Sequence, residues 1–465
     1  MMPRMKDIQV VVMMGGAGSR LGDIVASCPK PLLPVGEGLP AFRAGKPGKE
    51  DKTSDLCKQD RIPFFEYELR LLIVAGFRRF LFCTGYLSNE IEDYFDDGEK
   101  FEVDITYQKD SQDEDGNAVL LGTGGALRHA YPKLDEDFLL VYADSFMDID
   151  YREVVYRYFE AKKEGAQSLM TLLHNGGRFD KSNVVYRDGG LKLYDKEQPT
   201  AEMDYIDYGV SMFTRSVFDD FADGEKFDLS VIQHRLSLEG RLHGLEVSRR
   251  FYEIGRPDPY REFISYAKER FERPRRAAFL DRDGVMNEIV YNEDTELLDS
   301  PMNPGELRLL PGAGEAVARL KEAGYYVFIV TNQPAAAKGK TSLGELFDIN
   351  KRLKELVPGI DDVFVCFHHP KGSEYSRERN LIGECACRKP KTGLIDEACS
   401  KYAVDTENSF MAGDSFTDMV CGRKAGLKTV FIGDYKCDVC ARLEYNKPDI
   451  TAPDLLKAVG QILDE

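Results

Sequence analysis

Short apolar runs that stop abruptly at a glycine or an acid are what most restrict how this chain folds. Ile8–Met14 (IQVVVMM) is apolar and β-branched, and it ends in Gly15-Gly16-Ala17-Gly18-Ser19-Arg20. Phe138–Ala143 ends at Asp144, and Ala277–Leu280 ends at Asp281. Runs this apolar read as strands buried on both faces, a property of parallel sheets covered by helices. Helical segments lie between them: Phe64–Gly76 precedes the strand-like Phe80–Thr84, and Val317, Leu320 and Ala323 at helical spacing precede Tyr325–Val330. Ser409–Ala412 and Thr429–Ile432 continue the rhythm. The expected fold class is therefore α/β with mostly parallel sheets.

The rhythm breaks once, at Ser265–Arg276 (SYAKERFERPRR), which is charged and carries a proline. The expected division is a first domain over residues 1–265, a linker over 266–276 and a second domain over 277–465. A polar stretch at 37–60 reads as a surface loop inserted in the first domain. Lys plus Arg number 62 against 80 Asp plus Glu, a net charge of −18 that a nucleic-acid backbone would repel. No run of about 18 apolar residues offers a membrane span, and the charged start is followed by no apolar signal region. The expected setting is the cytoplasm, with small molecules rather than nucleic acid or membrane as partners. The sequence leaves the oligomeric state open.

The loop after the first strand carries the first chemistry. A glycine turn lets backbone N–H groups approach phosphates closely, and Arg20 and Lys30 can neutralise charge developing on phosphoryl groups. The loop Gly15, Gly16, Gly18, Ser19, Arg20 followed by Pro29-Lys30-Pro31-Leu32 resembles the signature of the sugar-phosphate nucleotidyltransferases. These enzymes join a sugar 1-phosphate to a nucleoside triphosphate and release pyrophosphate. The resemblance implies a Rossmann-like, GT-A-like domain with a mixed, mostly parallel sheet. It further implies a base-binding loop at Gly122, Thr123, Gly124 and Gly125, Mg²⁺ carboxylates at Asp144 and Glu253, and sugar-phosphate contacts at Lys181, Lys196 and Gly209. Two carboxylates on strand ends suit a hard cation that keeps several waters. Gly22, Ala143 and Glu253 depart from the commonest pattern of that family.

The second constellation is Phe279-Leu280-Asp281-Arg282-Asp283-Gly284-Val285. Two aspartates two residues apart beyond a buried strand can divide phosphoester hydrolysis between them. One attacks phosphorus; the other protonates the leaving oxygen and then activates water. With Thr331-Asn332, Lys389 and Gly413-Asp414 following in order, the pattern resembles the haloacid dehalogenase-type phosphatases. That resemblance implies Thr331 and Asn332 on the phosphoryl group, Lys389 screening the nucleophile and the phosphate charge, and Mg²⁺ on Asp281, Asp283 and Asp414, with Asp418 nearby.

Of ten cysteines, seven follow residue 365, too uneven a distribution for a disulfide scaffold. Cys366 and His368, then Cys385 and Cys387, supply three thiolates and an imidazole, which satisfy a tetrahedral Zn²⁺ with no catalytic opening. His369 is the alternative to His368. Together with Arg388-Lys389-Pro390, this loop resembles the small zinc-containing phosphatases that act on heptose 1,7-bisphosphate or histidinol phosphate, and adds Arg388 as a sugar-phosphate contact. Pro334-Ala335 replaces the Ser-Gly usual there.

The fusion favours heptose. Removal of the 7-phosphate leaves heptose 1-phosphate, the substrate a sugar-1-phosphate nucleotidyltransferase needs next. The combined resemblance, to a D-glycero-D-manno-heptose 1-phosphate guanylyltransferase joined to a heptose bisphosphate phosphatase, implies GTP as the second substrate; the residues themselves leave the base open. The alternatives are a nucleotidyltransferase for another sugar fused to a different sugar or histidinol-phosphate phosphatase, or a phosphatase joined to a domain that only senses a nucleotide sugar.

Overall fold

The computed structural model describes residues 3–14, 28–38, 61–85, 87–111, 119–179, 181–292, 296–433 and 448–464. The expected phosphate-loop residues Gly15, Gly16, Gly18, Ser19 and Arg20, and all but the first two residues of the polar stretch 37–60, lie outside these. The chain forms two compact units, Pro3–Glu272 and Arg273–Glu465.

In the first unit the described residues form a nine-stranded mixed sheet. Gln9–Met13 runs at its centre, parallel to Arg79–Thr84 on one side and to Asp137–Tyr142 on the other. Its three valines are completely buried, as β-branched residues on a strand covered on both faces should be. Tyr205–Thr214 runs antiparallel to both Asp137–Tyr142 and Ser168–His174, which makes the sheet mixed. Asp144 follows Asp137–Tyr142 directly, so the carboxyl end of a central strand delivers it to the sheet's edge.

The second unit has a six-stranded sheet, parallel throughout, in the order Asp362–Cys366, Tyr326–Asn332, Ala277–Leu280, Phe410–Gly413, Lys428–Ile432, Ile450–Ala452. All four residues of Ala277–Leu280 are fully buried. Asp281 therefore leaves the sheet centre between the ends of Tyr326–Asn332 and Phe410–Gly413, where Thr331 and Asp414 lie. Ligands of open parallel sheets bind in this crevice. Among the described residues no helix is long and apolar enough to cross a membrane.

One expectation needs correcting. Residues 266–276 do not form a linker along their whole length, because the helix Pro257–Ala267 passes into a π-helical turn, Lys268–Glu272, that packs into the first unit. Phe271 is fully buried against Tyr67, at 5.0 Å between ring centroids, and Arg270 is buried on Asp148. Arg270 is thus paired inside the first unit, and the division falls after Glu272. Phe271→Ala should accordingly lower stability by about 3–5 kcal/mol, measured by denaturant unfolding followed with probes in the first unit, where a residue of an exposed linker would change it by about 0.5 kcal/mol or less.

Candidate active sites

In the second unit the chemistry is organised around one buried ammonium. Lys389 is only 3% exposed. Its Nζ lies 2.9 Å from Asp281 Oδ1 and 2.6 Å from Asp418 Oδ1, and donates to the Val330 carbonyl at 2.8 Å. All three donors of the ammonium are thus engaged. Asp418 is held from its other side: its Oδ2 accepts from the Ser415 backbone N–H at 3.1 Å and hydroxyl at 2.6 Å, the capping box that starts the helix Phe416–Lys424. Burial pushes the Asp281 carboxyl up to about 7, with Lys389 opposing and Asp418 and Asp283 adding to the shift. Burial, and then Asp418, push Asp414 up to about 6. Lys389 itself is raised: burial alone would lower it, but Asp281 and Asp418 outweigh that and keep it charged.

Asp283 sits in a different environment. Its Oδ1 accepts from Arg282 Nε at 3.1 Å and Asn287 Nδ2 at 2.9 Å, and its Oδ2 from Gln333 Nε2 at 2.6 Å and the Ser300 hydroxyl at 2.7 Å. Against the push of burial, Arg282 and these hydrogen bonds hold its carboxyl below the usual range. Gly284, at φ +81°, is required here, because a Cβ would lie 2.3 Å from Asp414 Oδ2. The carboxylates face a cavity of about 330 Å³ that Thr331, Asn332 and Lys389 also line. A hairpin, Val290–Asn292 with Leu297–Asp299, brings Leu298, Asp299 and the adjoining Ser300 to its wall.

Two expectations shift in position. The carboxylates that offer oxygens within 4.8 Å of one another are Asp281, Asp414 and Asp418, a hard-oxygen set that fits a divalent cation. Asp283, expected in that set, is held by its donors, and Asp418, though within that distance, gives one oxygen to Lys389 and the other to Ser415. Asn332, expected on the phosphoryl group, lines the cavity and also holds the backbone of Lys389. Its Oδ1 accepts from the Lys389 N–H at 3.0 Å, and its Nδ2 donates to the Lys389 carbonyl at 3.2 Å. Thr331 Oγ1 accepts from Gln333 Nε2 at 2.9 Å. Gln333, Asn287 and Ser300 are the residues sequence reasoning did not single out. Only the adjacency of Gln333 to Thr331-Asn332 signals any of them.

The cysteine cluster assembles as the spacing suggests. Cys366 ends the strand Asp362–Cys366, and its Sγ lies 3.6 Å from Cys385 Sγ and 3.9 Å from His368 Nδ1. Cys387 Sγ lies 3.3 Å from Cys385 Sγ and 3.4 Å from His368 Nδ1. Around an ion with metal–sulfur bonds of about 2.3 Å, tetrahedral ligand edges are about 3.8 Å, so the four atoms fit one metal ion with little adjustment. His369 Nδ1 instead accepts from the backbone N–H of Gly372 at 3.0 Å and lies outside the cluster. The loop runs straight into Arg388, whose Nη1 donates to the His368 carbonyl at 3.2 Å, and Lys389.

In the first unit, Lys30 Nζ lies 3.0 Å from Asp144 Oδ2. The short strands Ser145–Phe146 and Tyr252–Glu253 pair with Glu253 opposite Ser145, and the Ile254 N–H donates to the Asp144 carbonyl at 2.9 Å. Asp144 and Glu253 are thereby placed on neighbouring strands, two oxygen donors suited to a hard cation. Gly209, at φ +95°, turns its N–H onto Asp207 Oδ1 at 2.9 Å. Asp207, which the sequence did not mark out, is pushed up to about 6 by burial. Lys181 is exposed, and Lys196 Nζ lies 3.9 Å from Asp228 Oδ1.

The expected base-binding loop packs against the 225–229 segment. The N–H groups of Gly124 and Gly125 both donate to the Phe227 carbonyl at 3.1 Å, and Thr123 Oγ1 accepts from the Leu229 N–H at 2.9 Å. A Cβ on Gly122 would lie 2.5 Å from the Phe227 oxygen, and one on Gly124 2.3 Å from the Phe227 ring. These glycines are demanded by the close approach of the 225–229 segment.

The profile of the nucleotidyl transferase family matches residues 53–230, and that of the HAD-hydrolase-like family matches residues 386–458. A D-glycero-D-manno-heptose-1,7-bisphosphate 7-phosphatase from Thermosynechococcus vestitus is 32% identical over 200 residues, covering 41% of this chain and 96% of that protein. Among solved structures, the D,D-heptose 1,7-bisphosphate phosphatase of B. bronchiseptica, complexed with magnesium and phosphate, is 27% identical, with TM-score 0.34 over 41% of this chain and 98% of its own. HddC from Yersinia pseudotuberculosis, complexed with GMP-PN, is 17% identical, with TM-score 0.39 over 56% of this chain and 99% of its own. The chain thus combines a nucleotidyl transferase region with an HAD-like one. Through its similarity to nearly the full length of the Thermosynechococcus enzyme, it belongs to the D-glycero-D-manno-heptose-1,7-bisphosphate 7-phosphatase family.

Proposed function

We propose that the chain is a bifunctional enzyme of nucleotide-activated heptose synthesis. Its second unit removes the 7-phosphate of D-glycero-D-manno-heptose 1,7-bisphosphate. Its first unit then transfers GMP from GTP to the heptose 1-phosphate so formed, releasing pyrophosphate. The observation that carries the reading is Asp281 held against a buried Lys389, with Asp283 beside it gripped by four donors, in a chain of the heptose bisphosphate phosphatase family. We place the reaction in the cytoplasm, where nucleoside triphosphates are held.

In the second unit an oxygen of Asp281 attacks phosphorus and the bond to the sugar O7 breaks. Asp283 gives its proton to the leaving oxygen, then takes one from the water that cleaves the aspartyl phosphate, returning inorganic phosphate and the Asp281 carboxylate. Lys389 screens the repulsion between the anionic nucleophile and the anionic phosphoryl group. The phosphate charge arriving beside Asp283 favours the protonated form that an acid needs. In the first unit Lys30 orients and neutralises the phosphates, while an oxygen of the sugar phosphate attacks the α-phosphorus in line and pyrophosphate departs. Mg²⁺ on Asp144 and Glu253, and on Asp281 and Asp414, would neutralise developing phosphoryl charge and favour the ionised nucleophile. Zn²⁺ on Cys366, His368, Cys385 and Cys387 would be structural, fixing the loop that ends at Lys389. Lys181, Lys196, Gly209 and Arg388 are proposed as sugar-phosphate contacts.

The test is to supply heptose 1,7-bisphosphate, Mg²⁺ and each of GTP, ATP, CTP and UTP, following phosphate, pyrophosphate and product mass. GDP-heptose from GTP alone is expected; phosphate release with no nucleotide sugar would overturn the transferase half, and no phosphate release would overturn the heptose assignment. Asp281→Asn should cut phosphate release by about 10³-fold or more while pyrophosphate release from supplied heptose 1-phosphate continues, and Asp144→Asn should do the reverse. Loss of both activities in either variant would contradict two separate sites. For the cysteine cluster, elemental analysis should find about one zinc per chain. Cys387→Ser should lose the metal and most phosphatase activity but retain pyrophosphate release, whereas a zinc-free protein with full phosphatase activity would refute the structural role.

A further inference from the structure

The first unit ends in a segment that touches both sides of its candidate site. On one side, Glu272 Oε1 accepts from the backbone N–H of Glu37 at 2.5 Å and of Gly38 at 3.3 Å, just beyond the strand Pro34–Gly36. The approach is so close that a Cβ on Gly36 would lie 2.0 Å from that oxygen. The Tyr260 hydroxyl, from the preceding helix, donates to the Pro34 carbonyl of the same strand. This strand follows directly on the turn Lys30–Leu32, so fixing it fixes where Lys30 starts from.

On the other side, the Arg270 guanidinium forks onto Asp148, with Nη2 3.0 Å from Oδ1 and Nη1 on Oδ2. Asp148 lies four residues after Asp144 and also receives Arg249, which lies four residues before Glu253. Arg270 and Asp148 are 5% and 7% exposed, so the pair is strongly ordered and costly to break from one side. Phe271, between the two polar residues, is buried against Phe146 of the strand that follows Asp144. The segments that carry Lys30 and Asp144 therefore meet on residues 270–272, and the Glu253 segment joins them through Arg249 on Asp148. The turn is π-helical, a rare geometry found frequently at functional sites.

We propose that Arg270 and Glu272 are positioning residues of the nucleotidyl transfer. The π turn is a clasp that sets the Lys30 segment and the Asp144–Glu253 strand pair at the separation the Lys30–Asp144 contact displays. The inference rests on the nucleotidyltransferase reading of the first unit. It extends the functional part of that unit seven residues past the boundary the sequence suggested, to Glu272.

The test uses the full chain with Arg270→Lys, which keeps charge but not the fork, Glu272→Ala, and Glu272→Gln, which keeps an acceptor oxygen. Three quantities are measured: kcat and KM for pyrophosphate release from GTP and heptose 1-phosphate, phosphate release from heptose bisphosphate, and hydrogen exchange of residues 30–38 and 144–150. Arg270→Lys and Glu272→Ala should lower transferase kcat by about tenfold or more, with KM for GTP little changed and phosphatase activity intact. Exchange should rise at 144–150 for the first and at 30–38 for the second, and Glu272→Gln should restore most of the loss. Faster exchange with unchanged kcat, or an equal fall of both activities, would overturn the positioning role. If the parent chain releases no pyrophosphate with any of the four nucleoside triphosphates, the transferase reading fails, and exchange alone then judges the clasp: unaltered exchange at both segments refutes it.

Discussion

The second unit depends on one ammonium taken out of water. Among the described residues, Lys389 is the cation that pairs with Asp281 and Asp418, and it also donates to the Val330 carbonyl. One positive charge does not balance three acids in a region of low dielectric. The imbalance appears as Asp281 pushed up to about 7 and Asp414 to about 6. Such a cluster relieves its charge by taking up a proton or by holding a further cation. The surroundings hold the same group: Asn332 holds the Lys389 backbone from both sides, the capping box of the helix Phe416–Lys424 fixes Asp418, and the cysteine cluster ends two residues before Lys389.

The first unit uses the same pairing of a lysine with an aspartate, but in a wetter place. The Lys30 and Asp144 side chains are 18% and 31% exposed, against 2% and 14% for Lys389 and Asp281. An exposed pair contributes little by itself and does not hold a geometry against thermal motion. Its position is inherited from buried anchors behind it: Asp148 under two guanidinium groups, Glu68 accepting from the Met147 N–H at 3.0 Å, and the aromatic packing of Phe64, Phe146 and Phe263.

The parts legible in the sequence were those in which one short segment carries the whole signal. A fully buried parallel strand is an unbroken apolar run, so its end is sharp, and the residue at that end, Asp281 or Asp144, is placed by the fold class alone. Cys366, His368, Cys385 and Cys387 were legible because ligand spacing is local, whereas the choice of His368 over His369 needed the backbone of Gly372. Contacts between distant segments were not legible. Arg270 read as a solvated charge because its partner Asp148 is 122 residues away. Gly122, Gly124 and Gly125 read as a ligand loop because a glycine that clears a ligand and one that clears Phe227 look alike until Phe227 is in place. Ser415-Phe416-Thr417-Asp418 is legible as a helix start, but nothing in those four residues says that the second oxygen of Asp418 meets Lys389.

The difference in burial between the two sites follows from what each reaction asks of the protein. Under the proposed chemistry the phosphatase forms a bond to its own carboxylate, and a hydrated carboxylate is a poor nucleophile toward a phosphate dianion. Asp281 must be stripped of most of its water, and Lys389 must share its burial to keep it ionisable. In nucleotidyl transfer both reacting atoms belong to the substrates, and the protein supplies orientation and neutralisation only. Lys30 and Asp144 can then stay partly hydrated, provided that their separation is fixed from behind. The same physical requirement, a cation beside an acid, therefore yields a more deeply buried pair where the acid reacts and a more exposed one where it only aligns.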